Sequence, residues 1–498
     1  MEEPKLSFGG AIRLIFSLLI LSSAAVSATS PSRICIIGSG IGGSSIAHFL
    51  KTYSNKHLND IRIFERSGRV GGRMATVSIS GDVFEAGASI IHPKNFHALN
   101  FTASLNLRTN SNDGDDSSSW FGIWDGARFL FKTLPPPSES KPSFYKKIVS
   151  LLNSLLVFRR YGFSLLRMQR FVDKTVDRFL LYYSDFESRP VFTTVEEMLK
   201  WAGLYGLTQN TLQEELTDAR LSQELISELI TVITRINYGQ NVTISGLAGA
   251  VSMAGSDAGL WSVEGGNWQI ANGLIRHSNA SLHLHEEITS ISYVEGYYEL
   301  NSTKGNSYSC EVTVVATPLD ELNINFSPSV SIPKRELQHT HATFVRGLLN
   351  PAYFGLNLAS EIPDLVGTIE SSEVQFSSIS VLKKFSEEDK TYKVFSRAPM
   401  EDRLLDLIFS ARKETVRINW AAYPHYKAPE DFAPFLLDGL HLYYINAFEN
   451  AASTIETGAV AAENVARLIL SRLPSGSPSN LPNLMRSAPH EESMHVDL

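Results

Sequence analysis

Cysteine is nearly missing: Cys35 and Cys310 are the only two in 498 residues. This excludes a scaffold stapled by many disulfides and any Cys-rich zinc module. The His-Glu-x-x-His motif of metal-dependent hydrolases does not occur, and no metal is expected. Positive charge is not in excess either. Lys plus Arg number 44 against 52 Asp plus Glu, a formal charge of -8. Such a chain lacks the electrostatic footprint of a nucleic-acid binder, so no nucleic-acid partner is expected. Apolar runs are short, and none reaches 18 uninterrupted residues. No internal repeat is visible. With 43% hydrophobic and 19% charged residues, the composition is globular, and the length allows about two to four domains.

The run Leu14-Ile-Phe-Ser-Leu-Leu-Ile-Leu21 is followed by small residues, and Val26-Ser-Ala28 suits signal-peptidase cleavage. A cleaved secretory signal over residues 1–28 is expected, with an uncleaved anchor as the alternative. Five Asn-x-Ser/Thr sequons, at Asn100, Asn241, Asn279, Asn301 and Asn325, are candidate glycosylation sites in a lumenal protein. A disulfide is chemically allowed in that compartment. Cys35 nevertheless sits inside an apolar strand pattern, and a buried free thiol is the expectation there.

Chemistry enters at Arg33-Ile-Cys-Ile-Ile37, an apolar run suited to a central parallel strand buried on both faces. Gly38-Ser-Gly40-Ile-Gly-Gly43 follows at once, then a helical pattern. A glycine loop between strand and helix is the context that dinucleotide binding requires. Gly38 permits the tight turn, Gly40 lets the backbone approach a pyrophosphate, and Gly43 lets helix pack on strand. The second strand, Asp60-Ile-Arg-Ile-Phe64, closes on Glu65, placed to accept hydrogen bonds from an adenosine ribose. Ser67-Gly-Arg-Val-Gly71-Gly72-Arg73 adds consecutive glycines beside arginines, again suited to close backbone approach and anion contact.

Together these segments resemble the flavin-containing amine oxidase superfamily. The resemblance implies FAD as cofactor and an α/β fold: a Rossmann-type FAD-binding domain with an interleaved α+β substrate domain carrying a helical insertion. The expected segments are 33–134 (FAD-binding), 143–260 (helical insertion), 261–320 (FAD-binding again), 321–435 (substrate domain) and 436–471 (FAD-binding closure). Residues 110–119 are polar and acidic, suited to a solvated loop, and the polar, Pro-rich 474–498 reads as a disordered tail. Leu221, Leu225, Leu229 and Ile233 trace one helical face, and Leu165, Met168, Val172, Val176 and Phe179 another. A strand is expected from Tyr308 to Ala316, ended by Thr317-Pro318.

Further runs narrow the resemblance. Phe84 to His97, Tyr161-Gly-Phe, Arg167-Met-Gln, Arg235-Ile-Asn-Tyr-Gly-Gln240, Gly249 to Asn267 and Asn446 to Ala462 resemble the prenylcysteine oxidase and farnesylcysteine lyase family. This implies oxidative cleavage of S-farnesyl- or S-geranylgeranyl-cysteine, with oxygen and water, to cysteine, a prenyl aldehyde and hydrogen peroxide. It further implies cofactor contacts from Gly38, Gly40, Gly43, Glu65, Arg66, Gly71, Gly72, Arg73, Ser89, Ile90, Ile288, Glu449, Thr454 and Ile455. His92 is the candidate catalytic group, and Tyr238 and Gln240 are candidates for the substrate pocket. Trp261 and Trp268 are expected as apolar walls, and the apolar faces of the 143–235 helices as the housing of the isoprenoid. Ala88 departs from the pattern, since related oxidases often carry glycine there. The implied setting is a lysosome or vacuole lumen, with peripheral membrane contact allowed and no obligate protein partner. An amine or polyamine oxidase on the same scaffold is the alternative enzyme, and a non-catalytic prenyl-lipid binder the alternative outside enzymes.

Overall fold

A computed structural model describes residues 32–473, apart from 55–57, 59, 112–119, 138–141 and 185. The expected signal, most of the acidic loop and the expected tail lie outside the described residues. Among those described, no helix is long and apolar enough to cross a membrane, and no cluster of metal-ligating side chains occurs.

Five parallel strands form the cofactor-side sheet. Taken across the sheet they are Leu442–Tyr444, Val312–Val315, Ile34–Ile37, Ile61–Glu65 and Ser281–Leu284. In chain order this is 5-4-1-2-3, the doubly wound order whose switch point lies between strands one and four. The first strand is central, so it must be apolar on both faces, and Ile34 to Ile37 are all buried. The Ile41–Tyr53 helix packs directly on it because Gly43 has no side chain: a Cβ there would stand 2.0 Å from the Gly38 carbonyl oxygen. The closing Ile455–Arg472 helix buries an alanine-rich face (Ala459, Ala461, Ala462, Ala466) in the same core.

A seven-stranded sheet forms the substrate side, in the order Phe409–Pro424, Leu337–Leu349, Asp389–Ser396, Ser378–Ser386, Leu365–Thr368, Phe121–Trp124 and Phe129–Lys132. The last two strands come from within 33–134, so the end of that segment belongs to the substrate sheet rather than to the cofactor domain. Helices fill 143–254, as the periodicity indicates. One phase shift corrects the sequence pattern. A π-turn over Ile226–Ile230 inserts an extra residue, so Ile226 and Ile230 are buried beside Leu225 while Leu229 is only half-buried.

Two other expectations are overturned. The run from Tyr308 to Ala316 is not one strand: Ser307–Cys310 ends in a four-stranded sheet, Glu311 turns out to solvent, and Val312–Val315 enters the parallel sheet. Cys35 is also not a free thiol. It forms a disulfide with Cys310, 275 residues away, and both residues are fully buried. The adjacency arises because Glu311 and Val312 donate backbone N–H groups to Arg33, laying the end of one sheet against the first strand of the other.

Candidate active site

At the switch point the ends of strands one and four part, and a cavity of about 920 Å³ opens between them. Its walls include Gly38, Gly40, Glu65, Arg66, Gly71, Gly72, Arg73, Ser89, Ile90, Ile288, Glu449, Thr454 and Ile455. Thirteen of the fourteen expected cofactor residues therefore meet in one space, drawn from four separate stretches of chain. The fourteenth, Gly43, lies behind the wall and acts through packing, as its clash distance shows.

The cradle fits a dinucleotide on its own geometry. Gly38 has φ +108° and Gly71 φ +117°, conformations open to glycine, and a Cβ on Gly38 would stand 2.6 Å from the Ala316 carbonyl. Gly40 differs. A Cβ there meets nothing closer than the Gly71 carbonyl oxygen at 3.8 Å, so the space before it is open to a ligand. The Glu65 carboxylate is buried at the end of the second strand. Its Oε2 accepts from the Ser39 N–H at 3.0 Å and hydroxyl at 2.7 Å, and its Oε1 from the Ser67 N–H and hydroxyl, both at 2.9 Å. The backbone bonds fix the carboxylate, while the two hydroxyls can rotate away for ribose hydroxyls.

The far end of the cradle is closed by Glu449 and the start of the last helix. Arg73 forms an ion pair with Glu449 and donates to the Ala422 carbonyl at 2.6 Å, tying the second glycine segment to both later segments. Glu449 Oε2 is buried and makes no hydrogen bond, with the Arg335 guanidinium 3.5 Å away. Thr454 caps the Ile455–Arg472 helix through Thr457, so the helix N-terminus faces the cavity.

Beyond the glycine segments the lining turns apolar. Val176, Phe179 and Leu180 come from one helical stretch, Leu247 and Val251 from another, and Trp420 from the large sheet. Of the 143–235 helices expected to supply the apolar wall, the C-terminal half of Ser164–Phe179 does line the cavity, and it is joined by Gly246–Ala254, which lies outside that span. Trp261 and Trp268 do not line it: Trp261 is buried in a short strand, and Trp268 packs beside Gly71 with its indole N–H bonded to the Gly265 carbonyl. Ala88 lines the cavity at φ +51°, the left-handed backbone that glycine would hold without strain.

The three candidates for chemistry fall differently. His92 lies on the cavity wall, its Nδ1 accepting from the Lys94 N–H at 3.0 Å and its Nε2 facing Asp257 at 3.3 Å. Tyr238 also lines the cavity, is buried, and donates to the Ser453 carbonyl at 3.3 Å; burial pushes its phenol far above the usual range. Gln240 does not line it. Its amide donates to the Pro424 carbonyl at 3.0 Å and accepts from the Tyr426 N–H at 3.0 Å, pinning one backbone turn to another.

Two residues went unnoticed in the sequence. Lys393, on the Asp389–Ser396 strand, is buried on the cavity wall, and its ammonium donates to Ser89 Oγ at 3.2 Å and the Glu85 carbonyl at 3.4 Å. Burial pulls its pKa down to about 8, against the opposing pull of Glu85. Glu85 is itself pushed up to about 7 by burial, and its Oε2 has no hydrogen-bond partner. A perturbed amine and a perturbed carboxyl beside a cofactor cradle are the pattern of a working site. The available signal was a lysine inside a strand with apolar neighbours on both sides, Tyr392 and Val394.

Fold and cradle define a dinucleotide-binding oxidoreductase with a Rossmann-type cofactor domain. Among solved structures, the chain superposes on putrescine oxidase bound to putrescine with TM-score 0.54 at 12% identity, covering 89% of this chain and 99% of that one. Cyclohexylamine oxidase from Brevibacterium oxydans gives TM-score 0.55 at 16% identity, covering 88% and 99%. These likenesses show the fold. Residues 36–105 match the NAD(P)-binding Rossmann-like domain, and residues 144–479 match Prenylcysteine lyase. The chain is 61% identical to farnesylcysteine lyase of Arabidopsis thaliana over 93% of its length and 94% of that protein's. It is 33% identical to human prenylcysteine oxidase 1, covering 89% of each. The chain belongs to the prenylcysteine lyase family.

Proposed function

We propose that this protein is an FAD-dependent thioether oxidase that cleaves S-farnesyl- or S-geranylgeranyl-cysteine. With oxygen and water the products are cysteine, the prenyl aldehyde and hydrogen peroxide. The observation that carries the reading is the continuity of one cavity, from the Glu65 ribose acceptor and the glycine cradle to an apolar helical pocket. FAD held in this cradle would supply the acceptor for a hydride from the carbon between sulfur and the allylic double bond, with oxygen as the final electron acceptor.

The chain supplies the rest. Gly38, Gly40, Gly71 and Gly72 give a backbone surface for the pyrophosphate, and Glu65 holds the ribose. Val176, Phe179, Leu247 and Val251 bury the isoprenoid, at roughly 25 cal/mol per Å² of apolar surface removed from water. That wall also keeps bulk water from the reacting carbon. Lys393 holds the Ser89 hydroxyl as acceptor, leaving that hydroxyl free to donate its own proton and position the water that adds to the oxidised carbon. The resulting hemithioacetal then collapses to thiol and aldehyde. No side-chain nucleophile is needed.

The same reading places the protein in an oxidising, secretory compartment of lysosomal or vacuolar type. A buried disulfide supports it. So do Asn100, Asn279 and Asn325, three sequon asparagines exposed to solvent, whereas Asn241 and Asn301 are half-buried with their amides bonded locally.

The test is purified, flavin-loaded protein mixed anaerobically with farnesylcysteine. Bleaching of the flavin band, followed by peroxide release on admitting oxygen, is the expected result. Bleaching with spermidine instead would make it an amine oxidase, and no bleaching with either would leave a prenyl-lipid binder.

A further inference from the structure

The Ser143–Tyr161 helix is the least buried long helix among the described residues: only Asn153 and Tyr161 are buried in it. Its opposite side is apolar. Phe144, Ile148, Leu151 and Leu155 recur at helical spacing, flanked by Leu152 and Phe158, and all six are exposed, Leu151 to 71%. The stripe runs on through the turn. Phe158 meets the ring of Phe163 at 5.5 Å, Phe163 is 68% exposed, and Leu166 continues the exposed surface onto the next helix. A contiguous apolar surface of this length is not left to water in a soluble domain.

Charge decides what covers it. Between Ser143 and Val172 stand Lys146, Lys147, Arg159, Arg160, Arg167 and Arg170, and no Asp or Glu. Arg160 pairs with Glu228 from a neighbouring helix, while Lys147, Arg159, Arg167 and Arg170 are exposed. A second copy of this chain would bring like charges together around the stripe. An anionic lipid surface would instead match both features, the apolar residues entering the acyl boundary and the cations reaching the headgroups. The same cations, and the helix's 19 residues, suit lying in the interface rather than spanning the bilayer.

We infer that the Ser143–Tyr161 helix and the turn after it dock this protein on the interface of an anionic membrane. The docking stands on the exposed stripe and its charge alone. Its use rests on the proposed function: the next helix, Ser164–Phe179, carries Leu166 at its start and the cavity-lining Val176 and Phe179 at its end. One rigid element therefore links the bilayer surface to the pocket where an isoprenoid would enter.

The test is co-sedimentation of the full, flavin-loaded chain with phosphatidylcholine vesicles, with and without phosphatidylserine. Leu151→Glu combined with Leu155→Glu should weaken vesicle binding at least about tenfold, by placing two carboxylates on the buried face. Val83→Glu, at an exposed apolar residue of the Asp82–Gly87 strand outside the stripe, should bind like the parent. Lys147→Gln with Arg159→Gln, at two exposed cations, should lose only the phosphatidylserine-dependent part. All variants carry the same residues 1–28, so a difference belongs to the helix. Flavin absorbance checks folding, and if the glutamates abolish it, Leu151→Ser with Leu155→Ser is read instead. Equal binding by the stripe variants and the parent overturns the inference. So does a parent that ignores vesicles and forms a dimer that these substitutions dissociate. Turnover of a micellar prenylcysteine should be unchanged in the stripe variants; its loss would bear on the proposed function without touching the docking result.

Discussion

Lys393 and Ser89 join the two halves of the molecule: the lysine ammonium, borne by the substrate sheet, donates at 3.2 Å to the hydroxyl that follows the second glycine segment. The contact lies inside the cavity, where an amine with pKa about 8 is protonated at neutral and acidic pH. Lys393→Met keeps the length and removes the donor. It should leave the flavin spectrum intact and lower kcat by about tenfold to a hundredfold. The parent should lose activity as pH rises through about 8, when the ammonium deprotonates, and the variant should show no such limb. A steady-state pH profile of both proteins checks this, and an identical limb in the variant would remove Lys393 from the mechanism.

Two glycines of one loop should fail in different ways. Gly40→Val adds a side chain to open space, since its Cβ has no neighbour closer than 3.8 Å, so the protein should fold and purify colourless. Gly43→Ala forces a Cβ to 2.0 Å from a backbone oxygen, so strand and helix must separate. The expected loss is about 1–3 kcal/mol of stability. Thermal melts of the two flavin-free proteins, alongside their visible spectra, separate a vacated cradle from a disrupted fold.

The Cys35–Cys310 bond closes a loop of 275 residues. Cys35→Val with Cys310→Ala should lower unfolding free energy by about 2–5 kcal/mol, mainly through the freedom returned to the unfolded chain. Because both sulfurs are buried, mild reductant added to the native protein should have little effect within hours, while the same reductant during refolding should mimic the double variant. Denaturant midpoints with and without reductant measure both.

Glu430 is buried, and that burial pushes its carboxyl up to about 7 in the folded state. The folded protein therefore holds a proton that the unfolded chain releases near pH 4.5. This contribution to stability is full below about 4.5 and is lost as pH rises through about 7. Glu430→Gln keeps the shape and removes the titration. Its melting temperature should exceed the parent's at pH 8, by the equivalent of about 1–3 kcal/mol, and match it near pH 4.5. Parallel melts across that range are the check, and parallel curves would contradict it. Glu85, also pushed up to about 7, adds to the same slope in the parent.

Local patterns carried the cofactor half of the molecule. The sequence Ile34 to Gly43 states strand, turn and helix in ten residues, and Glu65 follows at the expected remove, because each of these contacts is short in sequence. What sequence could not show depends on pairing over long distances. Nothing near Phe121 reveals that it lies beside Leu365, and nothing near Cys35 distinguishes a buried thiol from half of a disulfide. Lys393 was hidden for the same reason. Its partners, Ser89 and Glu85, lie some three hundred residues earlier, and a strand lysine is ordinarily solvated. Gln240 misled in the opposite direction: it sits two residues from a cavity-lining tyrosine, but its amide faces the backbone of Pro424 and Tyr426.

The order in which the chain supplies the cradle has a consequence for biosynthesis. The phosphate turn is made of residues 38–43, yet the edge strand that completes the parallel sheet and the helix that seals the far end come from 442–444 and 455–472. A nascent polypeptide emerging from the ribosome thus carries an unfinished nest until residues 442–472 follow. Flavin capture has to wait until residues 442–472 have emerged, and a premature stop before them should leave an apoprotein that chaperones hold and quality control removes.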